Sequence, residues 1–230
     1  MFATAILLAA GRGRRMKSGL SKPLAKLAGR PAIAYSLKAL SAHTKIKQVI
    51  IVVNKNNYEG ILQLAGSKGY SKVSKIIEGG ERRQDSLGCG LRALDRRTDT
   101  VLIHDAARPF IGRKIITDCL NEAQKSGAAV AGVPVKATIK KSIGVKGQGL
   151  RVKETIDRKG LWEIQTPQVF KKDLILKAFK KFGMNDVTDD AALIEKLGRR
   201  VKIVEGSYFN IKITTPEDLV LAEAIARKIK

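Results

Sequence analysis

The stretch that most constrains the fold is ATAILLAAGRGRRMKSGLSK, residues 3–22. Its apolar run from Ala5 to Ala10 predicts a buried strand that ends at two closely spaced glycines, Gly11 and Gly13. Glycines let the backbone turn tightly and bring its N–H groups close to a ligand. Five cations follow the first glycine, at Arg12, Arg14, Arg15, Lys17 and Lys22. Such a loop is suited to a polyphosphate. The alternative is a solvated basic turn after a core strand.

The same loop excludes two common phosphate-binding motifs. Gly11 and Gly13 could open the dinucleotide fingerprint G-x-G-x-x-G, but Met16 occupies the third glycine position. The pattern G-x-x-x-x-G-K-[ST] does not occur here either. What remains is L-x-A-A-G-x-G-x-R-M, with a lysine before Pro23, and this pattern resembles the signature loop of sugar and alditol nucleotidyltransferases.

Apolar runs and helical patterns alternate along most of the chain, which predicts an α/β fold with a mostly parallel sheet wound on both sides. The predicted strands after the first are Gln48–Val53, Val73–Ile77, Thr100–His104, Ala128–Val133 and Val201–Val204. The predicted helices are Pro31–Ala42, Tyr58–Gly66, Gln84–Leu94, Lys114–Lys125, Asp173–Lys181, a helix capped by 188–190 that runs to Leu197, and a terminal helix that begins at Thr215 and Pro216. We expect a single domain over residues 1–230.

The alternation stops between residues 135 and 158. This stretch has many lysines and glycines and no long helical pattern, and VKATIKKSI and GLRVKETI predict two strands around residues 144–149. A β-arm that protrudes from the main sheet fits this pattern best.

The chain of 230 residues carries 44 lysines and arginines against 21 acidic residues, a net charge of +23. The cations are spread along the whole chain, without a helix-turn-helix, a zinc pattern or an interleaved aromatic platform. A surface that favours small anionic substrates is therefore expected over a specific nucleic-acid site. Cys89 and Cys119 predict no disulfide framework. The apolar start is too short for a membrane span and lacks the order of a signal peptide, so we expect a cytoplasmic protein.

Three stretches follow predicted strands and should meet at one edge of the sheet, beyond the carboxyl ends, where open parallel sheets bind ligands. They are the glycine loop at 11–15, a second glycine pair at 79–86, and HDAARP at 104–109. Asp105 could hold Mg²⁺ near phosphates or accept substrate hydroxyls; the alternative is a pair with Arg108 that fixes the turn. We expect His104 to be satisfied at a strand end rather than to act as a base, and His43 to lie at the surface. The chain lacks a nucleophile-elbow serine, which fits phosphoryl or nucleotidyl transfer. A phosphate monoester has a second pKa of about 6 and is already a nucleophile at neutral pH, so that positioning and charge neutralisation carry such a reaction.

Six motifs together resemble the 2-C-methyl-D-erythritol 4-phosphate cytidylyltransferase (IspD) family of the non-mevalonate isoprenoid pathway. They are AAGRGRRM, GGERRQDS (79–86), HDAARPF (104–110), TIDRKGLWEIQTPQVF (155–170), VTDDA (187–191) and NIKITTPEDL (210–219). They run in order from the first strand to the last helix. The resemblance implies a Rossmann-like fold, CTP and methylerythritol phosphate as substrates, and Mg²⁺ with the nucleotide.

The resemblance also implies roles for individual residues. CTP would bind at Ala9, Ala10, Gly11, Gly13, Gly80, Glu81 and Ser86. Four cations would be catalytic, two stabilising the charge on the α-phosphate and on pyrophosphate and two orienting the attacking phosphate: Arg15, Lys22, Arg158 and Lys212. The polyol and its phosphate would be held by Asp105, Arg108, Thr138, Thr166 and Thr188. In this family the arm exchanges across a homodimer, so Thr138 and Arg158 would enter the partner's site.

One departure concerns Glu81, which stands where family members often carry aspartate, so the ribose or base contact there is left open. A cytidylyltransferase for another alditol phosphate, such as ribitol 5-phosphate, would share the loop, the HDAARP turn and the mechanism. A basic nucleic-acid-binding protein is the rival from another class, and an inactive scaffold is a third.

Overall fold

The structure, a computed structural model, describes residues 1–11, 22–67, 69–145 and 149–229. The strands are β1 (Ala3–Ala9), β2 (Lys26–Leu27), β3 (Arg30–Pro31), β4 (Ile46–Val53), β5 (Val73–Glu78), β6 (Thr100–Asp105), β7 (Ala128–Pro134), β8 (Ile139–Val145), β9 (Gly149–Ile156), β10 (Trp162–Lys171) and β11 (Lys202–Glu205). The helices are α1 (Ala32–Ala42), α2 (Tyr58–Ala65), α3 (Arg83–Arg92), α4 (Arg113–Ser126), α5 (Lys172–Phe182), α6 (Ala191–Lys196) and α7 (Pro216–Lys228). Short 3₁₀ turns lie at Lys22–Leu24 and Lys55–Asn57.

Seven strands form one sheet in the order β11-β7-β10-β6-β1-β4-β5. The pairs β1–β4, β1–β6, β4–β5 and β7–β11 are parallel, whereas β10 runs antiparallel to both β6 and β7. β1 lies in the middle, and all seven of its residues are buried, as expected for a parallel strand that is covered by helices on both faces. The predicted α/β fold with a mostly parallel sheet is confirmed.

Alternate residues of β1 divide the core into two layers. Ala5 and Leu7 belong to a cluster with α1, α2 and α4 on one face of the sheet. Ile6 and Leu8 belong to a cluster with α3, α5 and α6 on the other face. This two-residue period is the side-chain alternation of a strand. Both layers are mainly aliphatic, in line with the 5% of aromatic residues in the chain.

β10 is the strand of the seven-stranded sheet that the sequence did not predict. Its pairing with β7 shifts register between Ile164 and Gln168, and Pro167 lies within that irregularity. A proline has no N–H to donate to a ladder and is normally kept out of central strands. The polar residues around it also break the alternation that would have indicated a strand.

The predicted arm is present as a two-stranded antiparallel sheet of β8 and β9, apart from the main sheet. Three of its apolar side chains are strongly exposed: Ile143 (48%), Leu150 (77%) and Val152 (63%). The base of the arm is tied to the body, because Tyr208 donates its hydroxyl proton to Pro134 O at 2.7 Å.

The terminal helix α7 packs through a third apolar cluster, in which Ile225 and Ala226 join Phe110 and Ile213. The segment between β11 and α7 has no helix or strand. Its course is nevertheless fixed at its end, since Asp218 accepts hydrogen bonds from the backbone N–H groups of Thr214 and Thr215. Over the described residues, no helix combines the length and the apolar character that crossing a bilayer demands.

Candidate active site

A cleft of about 340 Å³ opens at the carboxyl ends of β1 and β6. It receives residues from all three predicted strand-end stretches and from the segment that precedes α7. Its walls are formed by Leu8, Ala9, Ala10, Gly11, Pro23, Gly80, Glu81, Arg82, Arg83, Ser86, Asp105, Ala107, Lys212, Ile213 and Thr214. The structure therefore brings together eight of the predicted site residues, from the end of β1, the Gly80–Ser86 segment, Asp105 and Lys212.

The glycine pair after β5 allows α3 to begin close to the end of β1. A Cβ atom on Gly79 would lie 2.5 Å from Ser86 Oγ and 2.7 Å from the Cβ of Ala10, and one on Gly80 would lie 2.4 Å from the Cβ of Asp85. No side chain fits at such distances. Ser86 is buried, and its hydroxyl accepts from Gly80 N–H at 3.2 Å and donates to Arg82 O at 3.2 Å. Ser86 thus fixes the loop that forms the cleft wall.

Asp105, the last residue of β6, lies between two cations. Its Oδ1 accepts from Arg83 Nε at 2.9 Å, and its Oδ2 accepts from Lys212 Nζ at 2.6 Å. Burial by itself would raise the pKa of the Asp105 carboxyl, but the charges and hydrogen bonds of Arg83 and Lys212 outweigh burial and hold that pKa well below its usual range. Asp105 is therefore ionised at neutral pH. The alternative pairing with Arg108 is not the one the structure shows.

Arg83 extends this arrangement into the core. Its Nη1 and Nη2 donate to the two oxygens of Asp190 at 2.6 and 2.8 Å. Burial would lower the pKa of Arg83, but Asp190 and Asp105 together raise it. The side chain of Asp190 is only 1% exposed, and burial raises its pKa against the attraction of Arg83. A carboxylate buried to this degree needs such a partner to remain charged.

The backbone around Lys212 is fixed from both sides. Ile213 N–H donates to Ala107 O at 2.8 Å, which joins this segment to the turn after β6. Asp218 holds the next two residues through the cap of α7. The Lys212 side chain is 39% exposed, so its ammonium group reaches both Asp105 and the open cleft.

His104 is buried and satisfied, as predicted. The carbonyl oxygen of Arg108 can only accept, so His104 Nε2 carries the proton and donates to it at 2.9 Å. His104 Nδ1 then accepts from the Thr166 hydroxyl at 2.9 Å, and Thr166 Oγ1 accepts from Asp105 N–H at 3.1 Å. Burial lowers the pKa of His104 to about 4, so the ring is neutral at physiological pH. Thr166 is buried in this network and does not line the cleft.

The expectation that His43 lies at the surface is wrong. It is 3% exposed, and its Nε2 lies 2.9 Å from Thr117 Oγ1 on α4. This contact joins the end of α1 to α4, and burial lowers the pKa of His43.

Arg108 is turned away from the cleft. Its Nη1 donates to Asn210 O at 2.7 Å and its Nη2 to Ile164 O at 3.4 Å, and its side chain is buried. Burial lowers its pKa. In this arrangement Arg108 joins β10 to the segment that carries Lys212.

Three further predicted site residues that the structure describes do not line the cleft of this chain. Thr138 and Arg158 are exposed at the base of the arm, where Arg158 Nη1 donates to the carbonyl oxygen of Lys136, and Thr188 is exposed before α6. Gly13 and Arg15 lie outside the described residues, as does the side chain of Lys22.

The described residues do not form a metal site of their own. None of them forms a group of three or more His, Cys, Asp or Glu side chains suited to a metal ion. Asp105, the predicted Mg²⁺ ligand, has both oxygens engaged by cations. Mg²⁺ is normally bound by one or two carboxylates together with substrate phosphates and waters. Mg²⁺ binding by Asp105 stays a prediction.

Sequence reasoning missed Arg83 and Asp190. Arg83 belongs to the motif GGERRQDS and Asp190 to the motif VTDDA and to the predicted helix cap, but the sequence assigned neither residue a role in the site. The available signal was the pair of acids before α6, Asp189 and Asp190. Of these two side chains it is Asp189 that caps the helix, by accepting from Ala192 N–H at 3.1 Å. A second acid in a segment that is about to be buried needs a cation, but its partner lies 107 residues away in the sequence.

Comparison with known proteins shows which family has sequences similar to this chain. The family model described as "IspD: 2-C-methyl-D-erythritol 4-phosphate cytidylyltransferase" matches residues 3–228. The 2-C-methyl-D-erythritol 4-phosphate cytidylyltransferase of Caldanaerobacter subterraneus subsp. tengcongensis is 44% identical over 231 residues, which cover 99% of this chain and 100% of the relative.

A bifunctional enzyme IspD/IspF from Desulfotalea psychrophila is also 44% identical over 225 residues, but the chain spans only 57% of that longer relative. Among solved structures, the 4-diphosphocytidyl-2C-methyl-D-erythritol synthase of Anaerococcus prevotii superposes with a TM-score of 0.85 at 33% identity. The match covers 98% of this chain and 96% of that one.

Proposed function

The chain belongs to the IspD family of 2-C-methyl-D-erythritol 4-phosphate cytidylyltransferases, and on this premise we propose that it transfers the cytidylyl group of CTP to 2-C-methyl-D-erythritol 4-phosphate. The products are 4-diphosphocytidyl-2-C-methyl-D-erythritol and pyrophosphate. The observation that carries the proposal is the cleft in which Lys212 and Asp105 face the glycine-bearing end of β1.

The reaction joins two phosphates. An oxygen of the substrate phosphate forms a bond to the α-phosphorus of CTP, and the bond from that phosphorus to the oxygen bridging to the β-phosphorus breaks, so pyrophosphate leaves. Both reactants are anionic, and the phosphate nucleophile needs no strong base. The protein's task is to position them and to neutralise charge. The absence of a free histidine base in the described part of the cleft fits this requirement.

Lys212 supplies positive charge at the cleft, and we assign it to the attacking phosphate. Asp105 keeps the ammonium group in place before substrate arrives, and one of its oxygens can accept a hydroxyl of substrate once Lys212 turns to a phosphate. The backbone at Ala9, Ala10 and Gly11 and the loop at Gly80, Glu81 and Ser86 would bind the nucleotide. Arg15 and Lys22 are proposed to neutralise the α-phosphate and the leaving pyrophosphate. Any Mg²⁺ would arrive with the triphosphate.

The arm supports a further part of the proposal, a homodimer. Leu150 and Val152 are exposed on one face of the arm, where they form an apolar surface that a second copy would cover, whereas Ile143 pairs with Arg151 on the opposite face. Thr138 and Arg158, at the base of the arm and outside this chain's own cleft, would then reach the partner's cleft. Because of the family resemblance we also propose that Arg108, Thr166 and Thr188 help to hold the polyol. Arg108 and Thr166 would do so indirectly, through the hydrogen-bond network that holds Asp105. A cytoplasmic location stays a prediction, as does the lack of a specific nucleic-acid partner.

A pyrophosphate-release assay tests the proposed reaction. We expect turnover with CTP and methylerythritol phosphate, and much lower kcat/KM when UTP or ATP replaces CTP. Ribitol 5-phosphate, offered in place of methylerythritol phosphate, should react poorly. Turnover with ribitol 5-phosphate alone would overturn the substrate assignment. Specific RNA binding without pyrophosphate release would overturn the reaction itself.

A further inference from the structure

Four charged side chains of alternating sign run from the core to the cleft: Asp190, Arg83, Asp105 and Lys212. Each neighbouring pair is in direct contact, with shortest N···O distances of 2.6, 2.9 and 2.6 Å. The inner end is buried, with Asp190 1% exposed, and the outer end is open, with Lys212 39% exposed. We call these four residues the ion-pair chain.

We propose that Arg83 and Asp190 are positioning residues for the transfer reaction: Asp190 fixes the guanidinium plane of Arg83, and Arg83 in turn orients the Asp105 carboxylate toward Lys212 and the cleft. This inference rests on the proposed function. It assigns a role to two residues that the sequence did not single out.

The geometry of Arg83 supports this role. Nη1 and Nη2 are both used on Asp190, and such a two-point contact fixes the plane of the guanidinium as well as its distance. The Nε donor is then aimed at Asp105 Oδ1. With Oδ1 held, the Asp105 carboxylate cannot rotate freely, and Oδ2 is the oxygen that meets Lys212.

The buried end of the ion-pair chain, at Asp190, is itself anchored to the sheet. The backbone N–H groups of Asp190 and Ala191 both donate to Gln168 Oε1 at 3.0 Å, and Gln168 Nε2 donates to Asp189 Oδ2 at 2.9 Å. Gln168 lies in β10, which pairs with β6, the strand that carries Asp105. Both ends of the Asp190–Arg83–Asp105 contact are therefore tied to neighbouring strands of one sheet.

Stability alone is a weak explanation for this arrangement. Replacing a buried ion pair by apolar side chains is often neutral or stabilising, because desolvation opposes the attraction of the charges. A buried pair whose outer partner reaches into a cleft has a further use. When Lys212 turns to a phosphate, Arg83 remains on Asp105, so the carboxylate keeps one cation and its Oδ2 becomes available to a hydroxyl group.

The test is a double-mutant cycle of Asp190→Asn and Arg83→Gln, read as pyrophosphate release with CTP and methylerythritol phosphate. The matched control is Asp118→Asn, which makes the same change at an aspartate that also pairs with a cation, Lys114, but lies on α4 outside the cleft wall. We expect Asp190→Asn to lower kcat about 10- to 100-fold with a smaller change in the KM for CTP, since a misplaced group costs rate more than binding. Asp118→Asn should stay within about threefold of the wild type, since it breaks only a largely exposed ion pair.

The cycle separates positioning from a structural role. If Asp190 acts through Arg83, adding Asp190→Asn to Arg83→Gln costs no further activity. Arg83→Gln alone leaves the buried carboxylate of Asp190 without its partner, and this variant can fail to fold. The double variant removes both charges and avoids that penalty. Arg83→Lys provides a second single variant for the comparison. Arg83→Lys keeps a charge but loses the planar fork, and we expect it to remain impaired.

Three results would overturn the inference: equal activity of Asp190→Asn and Asp118→Asn, a full additional loss in the double variant, or wild-type activity of Arg83→Lys. A wild-type protein that releases no pyrophosphate from CTP would instead refute the proposed function, and the inference would fall with it.

Discussion

Lys212 is the described residue on which the proposed chemistry depends most directly. Its ammonium group is held 2.6 Å from Asp105 Oδ2, yet 39% of its side chain is exposed. A cation in this position is restrained but not sequestered. Positive charge aimed at a phosphate in a partly closed cleft is worth most when charge develops in the transition state.

We predict that Lys212→Gln lowers kcat/KM about 10²- to 10³-fold, because a preorganised charge at the reacting phosphates is lost. The free energy of unfolding should change by less than about 1 kcal/mol, since the ion pair is partly exposed. Pyrophosphate release and urea unfolding measure the two effects. Lys114→Gln is the control, because Lys114 is also paired with an aspartate, Asp118, but lies on the surface of α4. Equal activity of the two variants would refute the role of Lys212.

His104 predicts how the free energy of unfolding depends on pH. In the unfolded chain an imidazole takes up a proton near pH 6.5, whereas burial lowers the pKa of folded His104 to about 4. Between these values the unfolded chain binds more protons, so the folded state loses stability as the pH falls.

Urea unfolding at pH 7 and pH 5 tests this dependence. His104→Gln should reduce the difference between the two pH values by about 2 kcal/mol, because 1.5 pH units lie inside the window and each is worth about 1.4 kcal/mol. The other histidine, His43, is present in both proteins, so its contribution cancels. An unchanged pH dependence in the variant would show that His104 titrates normally.

At the scale of elements, the cleft depends on how closely α3 approaches the end of β1. Gly79→Ala would place a Cβ 2.5 Å from Ser86 Oγ and 2.7 Å from the Cβ of Ala10, so that either the helix or the strand end must move. We predict a loss of stability of about 1–3 kcal/mol, as for other overpacked sites, together with a loss of kcat/KM.

The control for this prediction is Gly66→Ala at the end of α2. There the added Cβ meets only backbone oxygens, Leu62 O and Gln63 O, at 3.6 and 3.7 Å, which is ordinary contact. Thermal unfolding and pyrophosphate release of both variants provide the comparison. A Gly79→Ala protein as stable and active as Gly66→Ala would show that the close approach has no consequence.

The elements also show what local sequence can predict. Runs such as QVIIVV and TVLIH carry the strand signal in their own composition, and both strands are present. β10 was missed because Gln165, Thr166 and Pro167 disrupt that signal, and the strand is stabilised by its place between β6 and β7. Its existence depends on tertiary pairing that no local pattern contains.

The same distinction applies to the site. Glycines after strands and an acid at the end of β6 could be predicted, since their positions follow from the strand ends. Lys212 came only from the family resemblance, as one of 44 lysines and arginines. Arg83 and Asp190 were not predicted, because their contact joins residues 107 positions apart.

At the scale of the whole molecule, the proposed homodimer would make the site a shared one. Thr138 and Arg158 are exposed at its base rather than in this chain's cleft. If two chains exchange arms, each cleft combines Lys212 of one chain with Arg158 of the other.

Mixing two inactive variants tests this exchange. Arg158→Ala and Lys212→Gln should each be nearly inactive, whereas a mixture refolded at equal concentrations should recover about a quarter of wild-type activity, because half of randomly paired dimers are mixed and each has one intact site. A mixture of Lys212→Gln with Asp105→Asn provides the control, since those residues share one chain's cleft. No recovery in the first mixture would refute the exchanged arm.

The proposed reaction requires the triphosphate of CTP to bind in the cleft between the end of β1 and Lys212. A crystal structure of the protein with CTP tests it most directly. We predict that the nucleotide lies over Ala9, Ala10 and Gly80, with phosphate oxygens within hydrogen-bond distance of a cation of the cleft and with Arg83 still on Asp190. A nucleotide bound elsewhere, with the Lys212–Asp105 contact facing only solvent, would contradict the account.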